Sequence, residues 1–198
     1  MEHKGTTVIT SKRLLLRRFV IEDAEAMFHN WASDPDVCRF LTWPPHPDVN
    51  VTRRILQNWI TSYAQPNFYQ WAIALQEHPH NVIGSISVVA QNEELDLVHI
   101  GYCLGKEWWH QHITSEAFTA IIPFLFEEVK ANRIETRHDP DNPNSGRVMR
   151  SCGLTYEGTA REAYRSNRGI VDACNYSLLK KEYPQWLHER GITSTAFR

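Results

Sequence analysis

The chain of 198 residues carries a net charge of −2, and 42% of its residues are hydrophobic and 22% charged. These proportions are those of a folded globular protein with a substantial core, and they exclude a largely disordered chain. A charge this close to zero also argues against nucleic acid or an anionic membrane surface as the main partner.

The N-terminal part of the chain predicts a strand, two helices and a β-hairpin, in that order. Three leucines at 14–16 predict the first strand, and residues 22–31 predict a short helix with one apolar face. After a loop rich in proline and aromatic residues, Asn50 predicts the N-cap of the second helix. Alternating apolar residues over 69–75 and 81–89 predict the two strands of the hairpin.

The segment 98–129 contains a strand that turns directly into a helix. Apolar residues alternate with polar or small ones over 98–104, and apolar residues recur at the helical period over 117–129. Pro123 predicts a kink within this helix. Such a turn directs free backbone amides and the positive end of the helix dipole at one place, which suits a phosphate group.

The remainder of the chain predicts one further strand, a helix and a second hairpin. The strand spans 133–138, and the helix over 142–153 has Asn as its cap, Pro at its first position and Gly at its end. Strands over 155–164 and 170–179 are joined by a glycine-containing turn. Residues 181–198 are interpreted as a C-terminal appendage.

Two blocks of sequence resemble the GNAT acyltransferase superfamily. IGYCL (100–104) followed by WWHQHITSEA (108–117) is similar to its motif A, and more narrowly to the RimJ/RimL-type branch, which acetylates the N-termini of ribosomal proteins. DPDNPNSGRVMRSCGLTYEG (139–158) resembles the later family segment in which an Asn-x-x-Ser pair opens a helix. The resemblance extends over 14–179.

The resemblance implies an α/β (α+β) chain with the GNAT fold. The expected sheet is mixed and mostly antiparallel, has six to seven strands, is splayed between its two parallel central strands, and is flanked by about four helices. We expect one domain over residues 1–198, with a core of about 12–180. The expected oligomeric state is a monomer or a homodimer.

The resemblance also implies an acetyl-CoA-dependent N-acetyltransferase. It would move an acetyl group directly to a primary amine in a ternary complex, and the amine would be a protein N-terminal α-amine or a small-molecule amine. The alternative is a catalytically weak GNAT-fold module that binds acyl-CoA or regulates a partner. Two departures from the family motivate this alternative: His112 stands where glycine is usual in the diphosphate turn, and Met149 stands where many members have the tyrosine that acts as the acid. Another glycine of the family's turn often stands at the position of His110.

His112 allows two interpretations. Glycine lets the backbone approach a diphosphate closely, whereas histidine tolerates a positive φ only at some cost. The ring either adds a partly cationic contact or crowds the phosphate.

The cofactor-binding residues that the resemblance implies, through backbone or side chain, are Ile100, Tyr102, Leu104, Gln111, His112, Ile113, Thr114, Ser115 and Asn142.

Two side chains are the candidate catalytic groups. By the resemblance, Ser145 is the hydroxyl near the departing thiolate; otherwise it is a second capping residue of its helix. His99 stands where family members often have Glu, and an imidazole with a pKa of about 6.5 can accept a proton at neutral pH. A structural, partly buried histidine is the alternative.

The acceptor amine must be neutral to react. An α-amine, with a pKa of about 7.7–8.0, needs less help from a base to lose its proton than a lysine amine with a pKa of about 10.4.

The aromatic residues Trp31, Phe40 and Trp43 are candidates for the wall of the acceptor cleft, or else core residues. We expect no metal site, because the histidine pairs lack a cysteine or carboxylate at ligand spacing. The four cysteines show no disulfide spacing. With no apolar signal segment and no run of about 18 apolar residues, the expectation is a soluble cytoplasmic protein with free thiols.

Overall fold

The computed structural model describes residues 1–192, which form one eight-stranded sheet with the strand order β1-β2-β3-β4-β5-β6-β8-β7. All neighbouring strands are antiparallel except β5 and β6, which are parallel. The strands are β1 Ile9–Thr10, β2 Leu14–Arg17, β3 Gln70–Leu75, β4 His78–Asn92, β5 Leu97–Leu104, β6 Arg133–His138, β7 Thr155–Ser166 and β8 Gly169–Leu179.

Six α-helices flank the sheet within residues 1–192. Two of them continue as π-helical turns, Phe28–Ala32 after the first and Phe124–Glu128 after the fourth. Single 3-10 turns lie at Ile21–Asp23, Lys106–Trp108 and Lys180–Glu182. The helices are α1 Ala24–Met27, α2 Pro35–Cys38, α3 Val49–Ser62, α4 Ile113–Pro123, α5 Pro143–Ser151 and α6 Tyr183–Arg190.

Apolar side chains cover both faces of the sheet. On one face, the α4 residues Phe118 and Ile121 belong to the same buried cluster as Trp71 on β3. On the other face, Phe19 and Trp31 belong to a second buried cluster with residues of α1 and α3. Because burial of apolar surface is the main stabilising term in folding, these two layers fix the sheet between the helices.

The parallel pair is the feature that positions the candidate site. The β5–β6 register covers only Leu97–Arg133, Val98–Ile134 and His99–Glu135. The Thr136 hydroxyl then donates to the carbonyl oxygen of Ile100 at 2.9 Å. Both strands continue beyond this point without pairing to each other. The predicted splay between the two central parallel strands is therefore confirmed.

The structure confirms the mixed, mostly antiparallel GNAT-type sheet but adds elements to the expected number. Within the described residues there are eight strands instead of six to seven, because the short β1 pairs with β2, and there are six helices instead of about four. The helix α4 ends at Pro123 and continues as a π-helical turn, which is the local irregularity that proline produces.

The predicted cap at Asn50 is wrong by two residues. Asp48 has an extended backbone, with φ −154 and ψ 165, and its carboxylate accepts hydrogen bonds from the amides of Asn50 and Val51 at 2.7 and 3.2 Å. Aspartate competes well with asparagine as a cap, and its charge also suits the positive end of the helix dipole. The helix α3 therefore begins at Val49.

The predicted division of the chain, a core of about 12–180 and an appendage over 181–198, stays a prediction. Residues 193–198 of that appendage lie outside the described residues. Tyr183 and Trp186 of α6 belong to the same buried cluster as the α4 residues. Within residues 1–192, no helix combines the length and the apolar character that crossing a bilayer would require.

Candidate active site

The slot between the diverging ends of β5 and β6 is the centre of the candidate site. On β5, Ile100 and Leu104 are almost fully buried, while Tyr102 is only partly buried. The carbonyl oxygen of Ile100 already accepts from Thr136, and that of Leu104 accepts from the indole of Trp109 at 2.8 Å. The backbone around Tyr102 is therefore the part of β5 that is least committed on the side of β6.

The turn after β5 adopts left-handed backbone conformations at two histidines. His110 has φ 62, and His112 has φ 60 and ψ 14 and is the N-cap of α4. These are the two positions at which the resemblance led us to expect glycine, which adopts this conformation without strain. The chain thus keeps the backbone path of a glycine turn and builds it from histidine, one of the residues that tolerate it.

The first turn of α4 presents free backbone donors. Among residues 1–192, no protein oxygen accepts a hydrogen bond from the amides of Ile113, Thr114 and Ser115, whereas the next amide, of Glu116, donates to the carbonyl of His112 at 3.0 Å. Three unpaired amides and the positive end of a helix dipole together suit an anion. The exposed side chains of Gln111 and His112 flank these amides.

A clasp from the β1–β2 hairpin holds this turn in place. The Glu116 carboxylate accepts from the Ser11 hydroxyl at 2.7 Å and from the backbone amide and Nε of Arg13 at 2.8 and 2.7 Å. Arg13 also donates to the carbonyl of Gln111 at 3.0 Å. Burial raises the pKa of Glu116, but these donors outweigh it and the net pKa is lowered.

His112 lies beside the same clasp. It lines a cleft of about 370 Å³ on the outer side of α4, together with Arg13, Ser115 and Glu116. His112 therefore lies beside the start of the helix, next to Ser115, whose amide is one of the free donors. Its contribution to ligand binding stays a prediction.

Ser145 lies in the first turn of α5, across the slot from β5. Asn142 caps this helix through its side-chain oxygen, which accepts from the Ser145 amide at 3.4 Å. The Ser145 hydroxyl does not act as a second cap: within residues 1–192 its hydrogen-bond partner is the Tyr102 hydroxyl, at 2.8 Å. The cofactor role of Asn142 and the catalytic role of Ser145 stay predictions.

His99 lies where the pairing of β5 and β6 ends. Its Nδ1 lies 3.2 Å from a carboxylate oxygen of Glu135, its register partner on β6, and Glu135 also accepts from Arg133 at 3.1 Å. The hydrogen bond from His99, and secondly that from Arg133, hold the pKa of Glu135 below its usual value against the opposing effect of burial. A carboxylate that accepts from Nδ1 leaves Nε2 of the imidazole as the proton acceptor.

The three aromatic candidates for the acceptor cleft lie in different environments. Trp31 is fully buried in the core cluster of α1 and α3, whereas Phe40 and Trp43 are half-buried. The turn between β7 and β8 docks on the loop that carries them: Asn167 donates to the carbonyls of Cys38 and Trp43 at 2.8 and 2.6 Å. The substrate-binding role of Trp31, Phe40 and Trp43 stays a prediction, and the core alternative fits Trp31 best.

Sequence reasoning missed the partners of these side chains. It assigned no role in the site to four features: Glu135, the side chain of Tyr102, Arg13 and the turn at Asn167. The sequence carried one usable signal: two strands expected to be parallel neighbours bear a histidine and a glutamate, at His99 and Glu135. The register that pairs them is a property of the folded sheet.

The other histidine, cysteine and acidic side chains of residues 1–192 do not form a metal site. Among residues 1–192, no group of three or more histidine, cysteine or acidic side chains lies close enough to hold a metal ion. The four cysteines are free thiols. Burial raises the pKa of Cys38 and of Cys152 to about 12, so both are uncharged at neutral pH.

Comparison with known proteins identifies the family. The acetyltransferase (GNAT) domain family matches residues 13–155. The chain is 31% identical over 175 residues to the uncharacterized N-acetyltransferase p20 of Bacillus licheniformis, which covers 87% of this chain and 96% of that protein. A GNAT-family acetyltransferase from Bacillus anthracis has a similar structure, with a TM-score of 0.77 and 25% identity over 89% of this chain and 100% of that one.

The fold is also similar to that of RimL, a ribosomal L7/L12 α-N-protein acetyltransferase solved in complex with coenzyme A. The TM-score is 0.77 at 22% identity, over 87% of this chain and 98% of that one. With the splayed parallel pair and the family match, the chain belongs to the GNAT family of acetyltransferases and is an acyltransferase enzyme.

Proposed function

We propose that this enzyme is an acetyl-CoA-dependent N-acetyltransferase that moves the acetyl group directly to a primary amine in a ternary complex. The acceptor is a protein N-terminal α-amine or a small-molecule amine. The observation that carries the proposal is the unpaired stretch of β5 beside β6, followed directly by the free amides at the start of α4.

The residues around the slot fit acetyl-CoA as co-substrate. The amides of Ile113, Thr114 and Ser115 suit its diphosphate, because they are unpaired donors at the positive end of a helix. The backbone of β5 around Tyr102 suits the amide groups of pantetheine. That RimL was solved with coenzyme A supports the same class of co-substrate here. Gln111, His112 and Asn142 complete the set of contacts that we propose.

His99 and Ser145 are the proposed catalytic side chains. Acetyl transfer forms a C–N bond to the amine and breaks the C–S bond of the thioester, so the nitrogen loses a proton and the sulfur departs as a thiolate. His99, held through Nδ1 by Glu135, accepts the proton at Nε2, directly or through water. The Ser145 hydroxyl donates a hydrogen bond to the departing sulfur.

An α-amine acceptor suits this machinery. With a pKa of about 7.7–8.0, a useful fraction of such an amine is neutral near pH 7.5, whereas a lysine amine at about 10.4 is almost fully protonated. RimL, which has the same fold, acts on a protein α-amine. One imidazole is a sufficient base for the first kind of acceptor.

The test is release of free CoA from acetyl-CoA. The purified protein would be incubated with acetyl-CoA and a panel of peptides, amino acids, polyamines and aminoglycosides, and Ser145→Ala and His99→Gln would be measured in parallel. We expect CoA release that depends on one class of amine, with acetylated product identified by mass. Release at the background rate with every amine contradicts the proposed activity for those classes.

A thermal shift with CoA separates the second candidate, a weak acyl-CoA-binding module. The observations that favour it are the non-glycine residues at the left-handed turn and the fully buried Met149 on α5, which cannot supply an acid. CoA at 100 times its Kd stabilises a folded protein by about 2.7 kcal/mol. Stabilisation without turnover supports the module, and no stabilisation contradicts both candidates.

A further inference from the structure

Tyr102 reaches from β5 across the slot to α5. Its hydroxyl lies 2.8 Å from Oγ of Ser145 and 3.1 Å from the carbonyl oxygen of the same residue. Its ring packs on Phe118 of α4, with the ring centroids 5.9 Å apart. The phenol therefore has its ring in the core and its hydroxyl at the edge of the slot.

The numbers of protons and lone pairs limit the hydrogen bonds that the hydroxyls of Tyr102 and Ser145 can make. A phenol has one proton, and a serine hydroxyl has one proton and two lone pairs. Within residues 1–192 the Ser145 hydroxyl has Tyr102 as its hydrogen-bond partner. The single phenol proton has two acceptors within reach, Ser145 Oγ at 2.8 Å and the Ser145 carbonyl oxygen at 3.1 Å, and Oγ is the nearer of the two. When Tyr102 donates to Ser145 Oγ, it occupies one serine lone pair, and the serine proton is left to point elsewhere.

We propose that Tyr102 is the positioning residue for Ser145: it donates to Ser145 Oγ and thereby directs the Ser145 proton at the departing sulfur. The inference rests on the proposed function. Its own content is that a side chain on the cofactor-binding strand, which the family resemblance gives only a backbone role, orients the donor on the opposite side of the slot. The proton transferred in the reaction does not pass through Tyr102, which remains a neutral phenol.

Two features favour this role over simple packing. Phenylalanine would fill the same space on Phe118, so packing alone gives no reason for the hydroxyl. Burial raises the pKa of Tyr102, so the hydroxyl keeps its proton at neutral pH. It is therefore available as a donor throughout the working range of the enzyme.

The test is a double-mutant cycle on steady-state acetyl transfer with Tyr102→Phe, Ser145→Ala and the double variant. We expect Tyr102→Phe to lower kcat about tenfold, which corresponds to losing one well-oriented hydrogen bond, and to leave KM for acetyl-CoA within about twofold. In the Ser145→Ala background, Tyr102→Phe should have no further effect on kcat, because it acts through that hydroxyl.

Tyr183→Phe is the matched control. Tyr183 is also largely buried, with its ring 5.0 Å from Phe126, and its hydroxyl donates to Glu127 at 2.6 Å, away from the slot. It should lower the melting temperature without changing kcat. Unchanged kcat in Tyr102→Phe, or an equal loss in the Ser145→Ala background, overturns the positioning role while the proposed function stands. A wild-type protein without turnover overturns both.

Discussion

The left-handed turn at His112 gives a prediction about stability whose sign can be worked from the backbone. Holding an L-residue in this conformation costs about 1–2 kcal/mol. Glycine removes that cost, but it loses about 0.5–1 kcal/mol more in backbone entropy on folding. With φ 60 and ψ 14 at His112, we expect His112→Gly to raise the free energy of unfolding by the difference, about 0.5–1 kcal/mol. For a chain of this size the melting temperature should rise by about 1–4 °C.

The assay is urea-induced unfolding followed by circular dichroism, with His80→Gly as the control. His80 is exposed on β4, where glycine should lower the free energy of unfolding by about 0.5–1 kcal/mol. The two substitutions are chemically identical, so the difference in sign isolates the backbone conformation. A loss of stability in His112→Gly as large as that in His80→Gly would refute the reasoning.

The same variant tests whether the ring of His112 lies next to bound CoA. Calorimetric titration with CoA should give a Kd that differs from the wild-type value by more than about threefold, since His112 is the N-cap of α4 and directly precedes the free amides. The direction of the change separates the two interpretations: weaker binding means that the ring contacts the diphosphate, and tighter binding means that it crowds it. An unchanged Kd shows that the ring faces away.

Three further predictions concern single side chains. Glu116→Gln should lower the free energy of unfolding at neutral pH by about 1–2 kcal/mol and reduce the further loss of stability in acid. The reason is that a carboxyl with a lowered pKa stabilises the fold above its usual pKa of 4.5 and ceases to do so as pH falls. Urea unfolding at neutral and at acidic pH checks this, and an unchanged dependence of stability on pH contradicts it. His99→Gln should lower kcat by at least about 100-fold, and Glu135→Gln should lower it by a smaller factor. The double variant should be no slower than His99→Gln alone. Additive losses of kcat would show that the two residues act independently. Gly146→Ala should lower the free energy of unfolding by about 1–3 kcal/mol in a melting experiment, since the added Cβ would lie 2.6 Å from Nε2 of His138. In a His138→Ala background, most of that loss should disappear.

Local sequence signals account for the elements that frame the site. The alternation over 98–104 and the helical period after it predicted β5 and α4, and the cap Asn142 with Pro143 predicted the start of α5. Each of these signals lies within one turn or one strand. The boundaries at Asp48 and β1 were missed because a competing cap and a two-residue strand leave weak local patterns.

The contacts that would give the site its chemistry were not predictable in the same way. Tyr102 and Ser145 are 43 positions apart, and His99 and Glu135 are 36 apart. Such pairs depend on the register of β5 with β6 and on where α5 crosses the slot. Neither feature can be predicted from a short stretch of sequence. The left-handed turn at His110 and His112 was signalled only by the family's preference for glycine there, since histidine itself rarely indicates a positive φ.

A crystal structure of the complex with CoA tests the central claim most directly. The account predicts that the diphosphate accepts hydrogen bonds from the amides of Ile113, Thr114 and Ser115, and that pantetheine lies along β5 in the gap beside β6. A CoA molecule bound elsewhere, with those amides engaged by protein groups and the gap closed, would contradict it.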